Sequence, residues 1–365
     1  MKTEKPIVHF GCGALGRGLV MPLLYQSKKT LIAVDTNKKI LEQIHKDGGY
    51  DLLISDRKDP KEHVEVLKAL SSITQQEELI EILKNADTVT TSVKRENLKY
   101  LVPVILKAWG DDSCRNKVII SCENVENVGS YFKNLLMEQC DEKQKANVQE
   151  IKIPNTIVDR ICSMNSEDMT IVSEEFHELS VDKNVLSETG IEYINSIDNV
   201  EGHFYRKRYL LNSYADAISF LAKKVGLTYL YEAAQNEKIN EQSKPYMELL
   251  KDLLHEKYHI SKEELEQWQE IYRKRLQNDK IPRELTTVAR NLWSKLTVEE
   301  RFVKPLIQLL EMKKDISEGV KFIKKLIECG TEDEQSSQIK EKLMEIWNVC
   351  PEGEILFNML DKISD

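Results

Sequence analysis

The segment Val8-His9-Phe10-Gly11-Cys12-Gly13-Ala14-Leu15-Gly16-Arg17-Gly18 constrains this chain more than any other. An apolar run ends in Gly-x-Gly-x-x-Gly, and a second apolar run, Leu31-Ile32-Ala33-Val34, ends in Asp35, 19 residues beyond Gly16. A strand, a glycine turn, a helix and a second strand closed by an acid form the fingerprint of dinucleotide binding. Gly11 permits the tight strand-to-helix turn, and Gly13 lets the backbone approach a pyrophosphate. Gly16 lets the helix pack closely on the strand, while the helix N-terminus faces the phosphates. Asp35 in this position accepts hydrogen bonds from a ribose 2′-hydroxyl and repels a 2′-phosphate, so NAD is expected rather than NADP. The expected cofactor residues are therefore Phe10, Gly11, Cys12, Gly13, Ala14, Leu15, Gly16, Arg17 and Asp35. The competing reading is a glycine-rich turn in some other α/β protein.

Composition narrows the class. At 365 residues the chain is long enough for two domains. Charged residues make up 31% and no apolar run approaches membrane-spanning length, so no membrane partner is expected. The first residues, Met1 to Pro6, lead directly into a strand, and a cytoplasmic location without a signal peptide is the expectation. A net charge of −9 argues against general affinity for nucleic acid. Seven cysteines, an odd number without CxxC spacing, read as reduced thiols. Cys12 is either an oxidisable thiol in the turn or a small buried filler. His255 and His259 resemble half a metal site, but with no third ligand no metal is expected.

Strand-like and helical segments alternate through the first half, the pattern of a parallel sheet. Ile7–Phe10, Leu31–Val34, Thr88–Val93 and Val118–Ser121 read as its strands. Leu52–Ile54 reads as a hairpin or extra strand, and strand character returns over Met169–Val172 and Phe176–Leu179. Beyond about residue 195 apolar positions fall at helical spacing, as in Met247, Leu249, Leu250, Leu253 and Leu254. Ser261–Glu264, Thr297–Glu300 and Thr331–Glu334 have the form of capping boxes, and Gly330 is placed to end a helix. Trp268, Trp293 and Trp347 read as core anchors. The expected fold is α/β plus all-α: a Rossmann-type parallel-sheet domain over residues 1–195, then a helical substrate and catalytic domain over 196–365, with substrate in the cleft between.

Further segments carry a family resemblance: Ser121-Cys122-Glu123-Asn124, Asn155-Thr156-Ile157-Val158-Asp159-Arg160-Ile161, Val181-Asp182-Lys183, Arg206-Lys207-Arg208-Tyr209-Leu210-Leu211-Asn212, and Arg301-Phe302-Val303-Lys304-Pro305-Leu306. With the glycine turn, these make the chain similar to the long-chain polyol dehydrogenases, most of all to the mannitol-1-phosphate 5-dehydrogenases. The resemblance implies an NAD-dependent oxidoreductase that interconverts a polyol, or its phosphate, with the ketose, as mannitol 1-phosphate with fructose 6-phosphate. It implies Lys207 as the catalytic base, with Asn155 and Asn212 holding the reacting oxygen. It places Ser92 and Asn124 at the cofactor, and Asp159, Arg160, Arg290 and Lys295 at the substrate. A lysine serves as base once burial and the positive nicotinamide ring bring its pKa towards neutrality. From residue type alone, Lys207 is one more lysine on a solvated helix face. The implied partner is a small polyol or sugar phosphate, and the implied assembly a monomer or homodimer.

The departures matter too. The family pattern places a histidine three residues after Asn212, where this chain has Ala215, preceded by Tyr214. His203, one helical turn before Lys207, is either a substitute or a structural histidine. Thr287 and Ser294 stand where the mannitol-phosphate enzymes carry arginines, which predicts weaker recognition of a phosphate. Lys94 stands where the family usually has glycine near the cofactor, and either contacts phosphate or sits exposed at a loop tip. Two alternatives stay open: a dehydrogenase for another hydroxylated substrate, and a catalytically silent NAD-binding protein.

Overall fold

The computed structural model describes residues 5–112, 114–331 and 335–363. The chain divides into two compact units, Met1–Phe204 and Tyr205–Asp365.

Among the described residues the first unit contains twelve strands: β1 (Ile7–Phe10), β2 (Leu31–Asp35), β3 (Gly49–Ile54), β4 (Lys61–Glu65), β5 (Lys68–Ser71), β6 (Thr88–Thr91), β7 (Val118–Ser121), β8 (Thr156–Asp159), β9 (Cys162–Met164), β10 (Ile171–Ser173), β11 (Glu178–Asp182) and β12 (Asn195–Ile197). Five form a parallel sheet in the order β5-β2-β1-β6-β7. The chain runs outward from β1 to β2 and β5, then returns to β6 on the other side of β1. The crevice between the carboxyl ends of β1 and β6 is therefore the topological switch point, where open α/β sheets bind ligands.

Both sheet faces are covered, as a parallel sheet requires. Ile7, Leu31, Ala33 and Ile120 point into one core with Leu19, Leu23, Ile40 and Ile44. Val8, Phe10, Ile32, Val34 and Ile119 point into the other, with Leu79, Leu83, Ile105, Trp109 and Phe132. Helix Lys38–Asp47, which follows β2, is capped by Asn37, whose side chain accepts from Lys39 and Ile40 N–H, and stops at Gly48 with φ 65°.

Leu52–Ile54 belongs to β3, which pairs antiparallel with β4 in a second sheet of order β4-β3-β10-β9. The later strands begin two residues beyond their expected starts, at Ile171 and Glu178, and β11 pairs with β8 and β12.

The second unit is helical. Helix Glu237–Tyr258 buries Met247, Leu250, Leu253 and Leu254, and helix Lys262–Leu276 is capped by Ser261, which accepts from Glu264 N–H at 3.1 Å. Helix Ser317–Gly330 ends on its glycine. Trp347 is buried and donates its indole N–H to Leu296 O at 2.6 Å. The capping box expected at Thr297 does not form. Thr297 donates to Ser294 O, Glu300 is drawn to Arg208 and Arg301, and the next long helix starts only at Lys304. For the box at Thr331, residues 332–334 lie outside the described residues. Thr331 itself donates back to Ile327 O, and helix Ser336–Trp347 takes Gln335 as its cap. Among the described residues no helix is long and apolar enough to cross a membrane.

Candidate active site

The glycine turn is built by exclusion of side chains. Gly11 has φ 100°, and a Cβ there would lie 2.6 Å from the Ser92 carbonyl oxygen. A Cβ on Gly16 would fall 2.0 Å from Gly11 O and 2.7 Å from His9 Nε2. A Cβ on Gly13 would meet nothing within 4 Å, so this residue presents bare backbone to open space. An open glycine in a turn whose other glycines are sterically obligatory is what a pyrophosphate needs for close approach, and the residues fit a dinucleotide. Beyond the turn the first helix opens with a π-turn over Gly16–Val20, an irregularity common at functional sites.

Asp35 closes β2 beside this turn. Its carboxylate accepts from Cys12 N–H at 2.5 Å and from Asn37 N–H at 2.8 Å, and its remaining lone pairs are of the kind that receive ribose hydroxyls. Ser92, which follows β6, donates to Gly11 O at 2.7 Å and so ties the two strand ends of the switch point together. Asn124 is exposed after β7.

Three expected contacts turn inward instead. Phe10 offers only backbone, because its ring lies in the core. Arg17 is 1% exposed and spends its guanidinium on Cys12 O at 2.8 Å and Met169 O at 2.9 Å, beneath the turn rather than towards a ligand. Arg160 likewise donates to Glu174 O and Gly18 O, bracing the end of β8 against the residue after β10 and the first helix. Both guanidiniums are buried and spend donors on backbone carbonyls inside the fold. Asp159 is buried at the end of β8. Cys12 is fully buried, and burial pushes its thiol pKa up, so it serves as filler. None of the seven cysteines is in a disulfide.

Two residues of this region carry roles that sequence reading did not assign. His9 is fully buried, touches Thr90 Oγ1, Gly11 O and Ser92 Oγ at 2.8, 2.9 and 3.1 Å, and is held by burial at a pKa of about 4. It is a neutral strut under the glycine turn. Glu123 is buried, accepts from Val93 N–H and Thr91 Oγ1 at 2.9 Å each, and burial raises its pKa. A polar residue inside a strand buried on both faces was the available signal for His9.

Asn155 precedes β8. Its Oδ1 accepts from Ser130 N–H at 3.0 Å and its Nδ2 donates to Asn127 at 3.3 Å, which fixes the amide and leaves one N–H unspent. It lines a cleft with Asn127, Thr156, Glu201 and Phe204.

In the second unit, Lys207 is 6% exposed, not on a solvated face. Its neighbour Arg206 is fully buried against Trp268, 3.7 Å from the ring centroid, and donates to Tyr272 Oη at 3.2 Å, anchoring the segment to helix Lys262–Leu276. A π-turn over Arg208–Ser213 follows at once and contains Asn212. In an α-helix residues five apart diverge by roughly 140°. A π-turn adds one residue per turn, which brings Lys207 and Asn212 towards a common face. Asn212 is half-buried, and its amide has no partner among the described residues.

Ala215 is buried, and Tyr214 beside it donates its hydroxyl to Asn240 at 2.6 Å, with a pKa pushed up to about 12 by burial. Asp216 is buried and takes both Lys295 at 2.9 Å and Arg301 at 3.0 Å. Lys295 is thus held by a carboxylate of its own unit, while Arg290 is exposed. Thr287 and Ser294 donate locally to Glu284 O and Asn291 O. His255 reaches Ile260 O, His259 ends the helix in the left-handed region, and no metal-binding group of three or more ligands occurs among the described residues.

Comparison with known proteins places this geometry. The Mannitol dehydrogenase Rossmann domain matches residues 5–194, and the Mannitol dehydrogenase C-terminal domain matches residues 199–350. Mannitol-1-phosphate 5-dehydrogenase of Caldanaerobacter subterraneus subsp. tengcongensis is 30% identical over 308 residues, covering 82% of this chain and 80% of that one. The protein of the same name from Lactococcus lactis subsp. cremoris is 28% identical over 93% of this chain and 90% of its own. Among solved structures, Pseudomonas fluorescens mannitol 2-dehydrogenase in complex with NAD and D-mannitol has a TM-score of 0.75 at 14% identity, covering 99% of this chain and 91% of that one. A substrate-free D-sorbitol dehydrogenase has a TM-score of 0.76 at 15% identity, with 98% and 92% covered. Two matched domains in succession across the glycine turn and the Lys207 segment make this chain a member of the mannitol dehydrogenase family.

Proposed function

We propose that the protein is an NAD-dependent oxidoreductase that interconverts a polyol or polyol phosphate and its ketose, with mannitol 1-phosphate and fructose 6-phosphate as the first pair to test. The reading takes residues 1–195 as the cofactor domain and 196–365 as the catalytic domain, working in the cytoplasm as a monomer or homodimer. NAD, when bound along the turn of Gly11, Gly13 and Gly16, supplies the hydride acceptor. Asp35 receives the ribose hydroxyls. The neutral amine of Lys207 takes the proton of the substrate hydroxyl as the C–H bond yields its hydride. Asn212 and Asn155 donate amide hydrogens to the oxygen on which negative charge develops, and being uncharged they leave the base its proton affinity. In the reverse direction Lys207, protonated, returns the proton to the carbonyl oxygen.

The observation that carries this reading is the burial of Lys207 immediately before a π-turn that holds Asn212. Burial disfavours the charged form of a lysine, which is the property a lysine base needs. The test is NAD-linked turnover across a panel of hexitols and hexitol phosphates. Oxidation of mannitol 1-phosphate or another polyol supports the reading.

A second reading is favoured by one observation: Ala215 and the Tyr214–Asn240 hydrogen bond stand where the family pattern has its histidine. A silent NAD-binding protein would bind NADH and turn over no polyol, before or after Ala215→His.

A further inference from the structure

Lys94 follows Ser92 and Val93 out of β6, at the switch point where Ser92 is bonded to Gly11 of the glycine turn. Its backbone has φ 74° and ψ 149°, a conformation that glycine adopts freely and other residues hold only under strain. The surroundings prevent relaxation. Glu123 accepts from Val93 N–H at 2.9 Å, Asn97 Nδ2 donates to Val93 O at 2.7 Å, and Asn97 N–H donates to Lys94 O at 3.0 Å. The side chain itself is exposed, and its ammonium has no partner among the described residues. The next residue, Arg95, is by contrast stacked on Tyr131 at 4.4 Å. A residue that costs the fold strain and returns no contact within it has no structural reason to be a lysine.

We propose that Lys94 is a cofactor-binding residue whose ammonium pairs with the phosphate oxygens of the dinucleotide. Three facts converge on that ligand. The strained position lies two residues beyond Ser92, whose hydroxyl donates to Gly11 O in the same turn that carries the bare backbone of Gly13. Lysine is a flexible point charge able to reach an anion from a loop tip. The crevice at the switch point is where an open parallel sheet receives its nucleotide. The inference rests on the dinucleotide reading of the turn and adds a charge contact that the Gly-x-Gly-x-x-Gly pattern does not contain.

Titration with NADH alone, at low and at high salt, tests it with two substitutions. Lys94→Gln removes the charge and keeps the strained backbone; Lys94→Gly removes both. We expect each to weaken NADH binding about tenfold at low salt, the size of one charge-assisted hydrogen bond, with the difference shrinking as salt rises. We also expect Lys94→Gly to melt about 2 °C above the wild type while Lys94→Gln does not, because only glycine relieves the backbone. Opposite signs for stability and affinity in one variant are not produced by a lysine with a merely structural role. Unchanged NADH affinity in both variants overturns the proposal. Unchanged NADH affinity with a raised KM for a phosphorylated substrate also overturns it and moves the lysine to the substrate. Failure of the wild type to bind NADH at all removes the dinucleotide reading itself, and the inference falls with it.

Discussion

The glycine turn of the first unit and the Lys207 segment of the second are specified in different ways. Around Gly11 and Gly16 the design is steric: a Cβ at Gly16 would sit 2.0 Å from a carbonyl oxygen, and the buried His9 leaves no room to yield. Around Lys207 it is electrostatic. Arg206 is locked on Trp268, and Asp216 draws in Lys295 and Arg301. Both regions contain a π-turn, so each bends helical geometry to place polar groups. A steric site tolerates almost no added atom, whereas an electrostatic one tolerates atoms and responds to charge.

The largest effect should separate the two glycines. Gly16→Ala must displace the backbone of Gly11 or the His9 ring, and we expect a loss of about 3 kcal/mol in denaturant unfolding. Gly13→Ala meets nothing in the protein, so its stability should stay within about 0.5 kcal/mol of wild type. Its NADH affinity should nevertheless fall, because the methyl occupies the approach to the pyrophosphate. Equal destabilisation by both would break the steric account.

His9 gives a pH test of the same region. Its native pKa is about 4 against 6.5 when unfolded, so between these values the unfolded chain binds a proton that the native chain does not. Stability should therefore fall as pH drops from 6.5 to about 4, by about 3 kcal/mol from this residue. In His9→Gln that increment should vanish, leaving a flatter acid limb in urea midpoints measured over this range.

The electrostatic region should answer to Asp216→Asn. Removing the carboxylate leaves Lys295 and Arg301 facing each other, with side-chain exposures of 15% and 26%. Because both can turn partly to water, the loss should be nearer about 2 kcal/mol than the larger cost of a fully buried orphan charge. A smaller effect is expected at Asp35. Asp35→Ala should reduce the preference for NADH over NADPH about tenfold by calorimetric titration, one hydrogen-bonded acceptor's worth. Retained preference would mean that another group reads the ribose.

The same contrast explains what the sequence made legible. The glycine turn could be read residue by residue, because only glycine satisfies a φ of 100° at Gly11 or the contact at Gly16. The parallel strands were legible because Ile7 and Val8, or Leu31 and Ile32, are apolar towards both faces. Lys207 was not legible from its type, since Arg206, Lys207 and Arg208 look alike in sequence. Both Arg206 and Lys207 are buried, and Arg206 packs on Trp268 and Tyr272, more than 60 residues away. The inward bonds of Arg17 and Arg160 were not legible for the same reason, their partners Met169 and Gly18 being set by tertiary packing. The box at Thr297 failed because Glu300 found stronger partners in Arg208 and Arg301 than a helix N-terminus offers.

The most direct test of the central claim compares Lys207→Ala with wild type in NAD-linked oxidation of whichever polyol the panel identifies, alongside NADH titration of both. The proposed role predicts a fall in turnover of about 10²- to 10⁴-fold, the contribution of a positioned base, with NADH affinity within about twofold. It also predicts that wild-type oxidation rises with pH through the titration of this lysine and that the variant loses that rise. Turnover retained in Lys207→Ala, with the same pH dependence, would contradict the account.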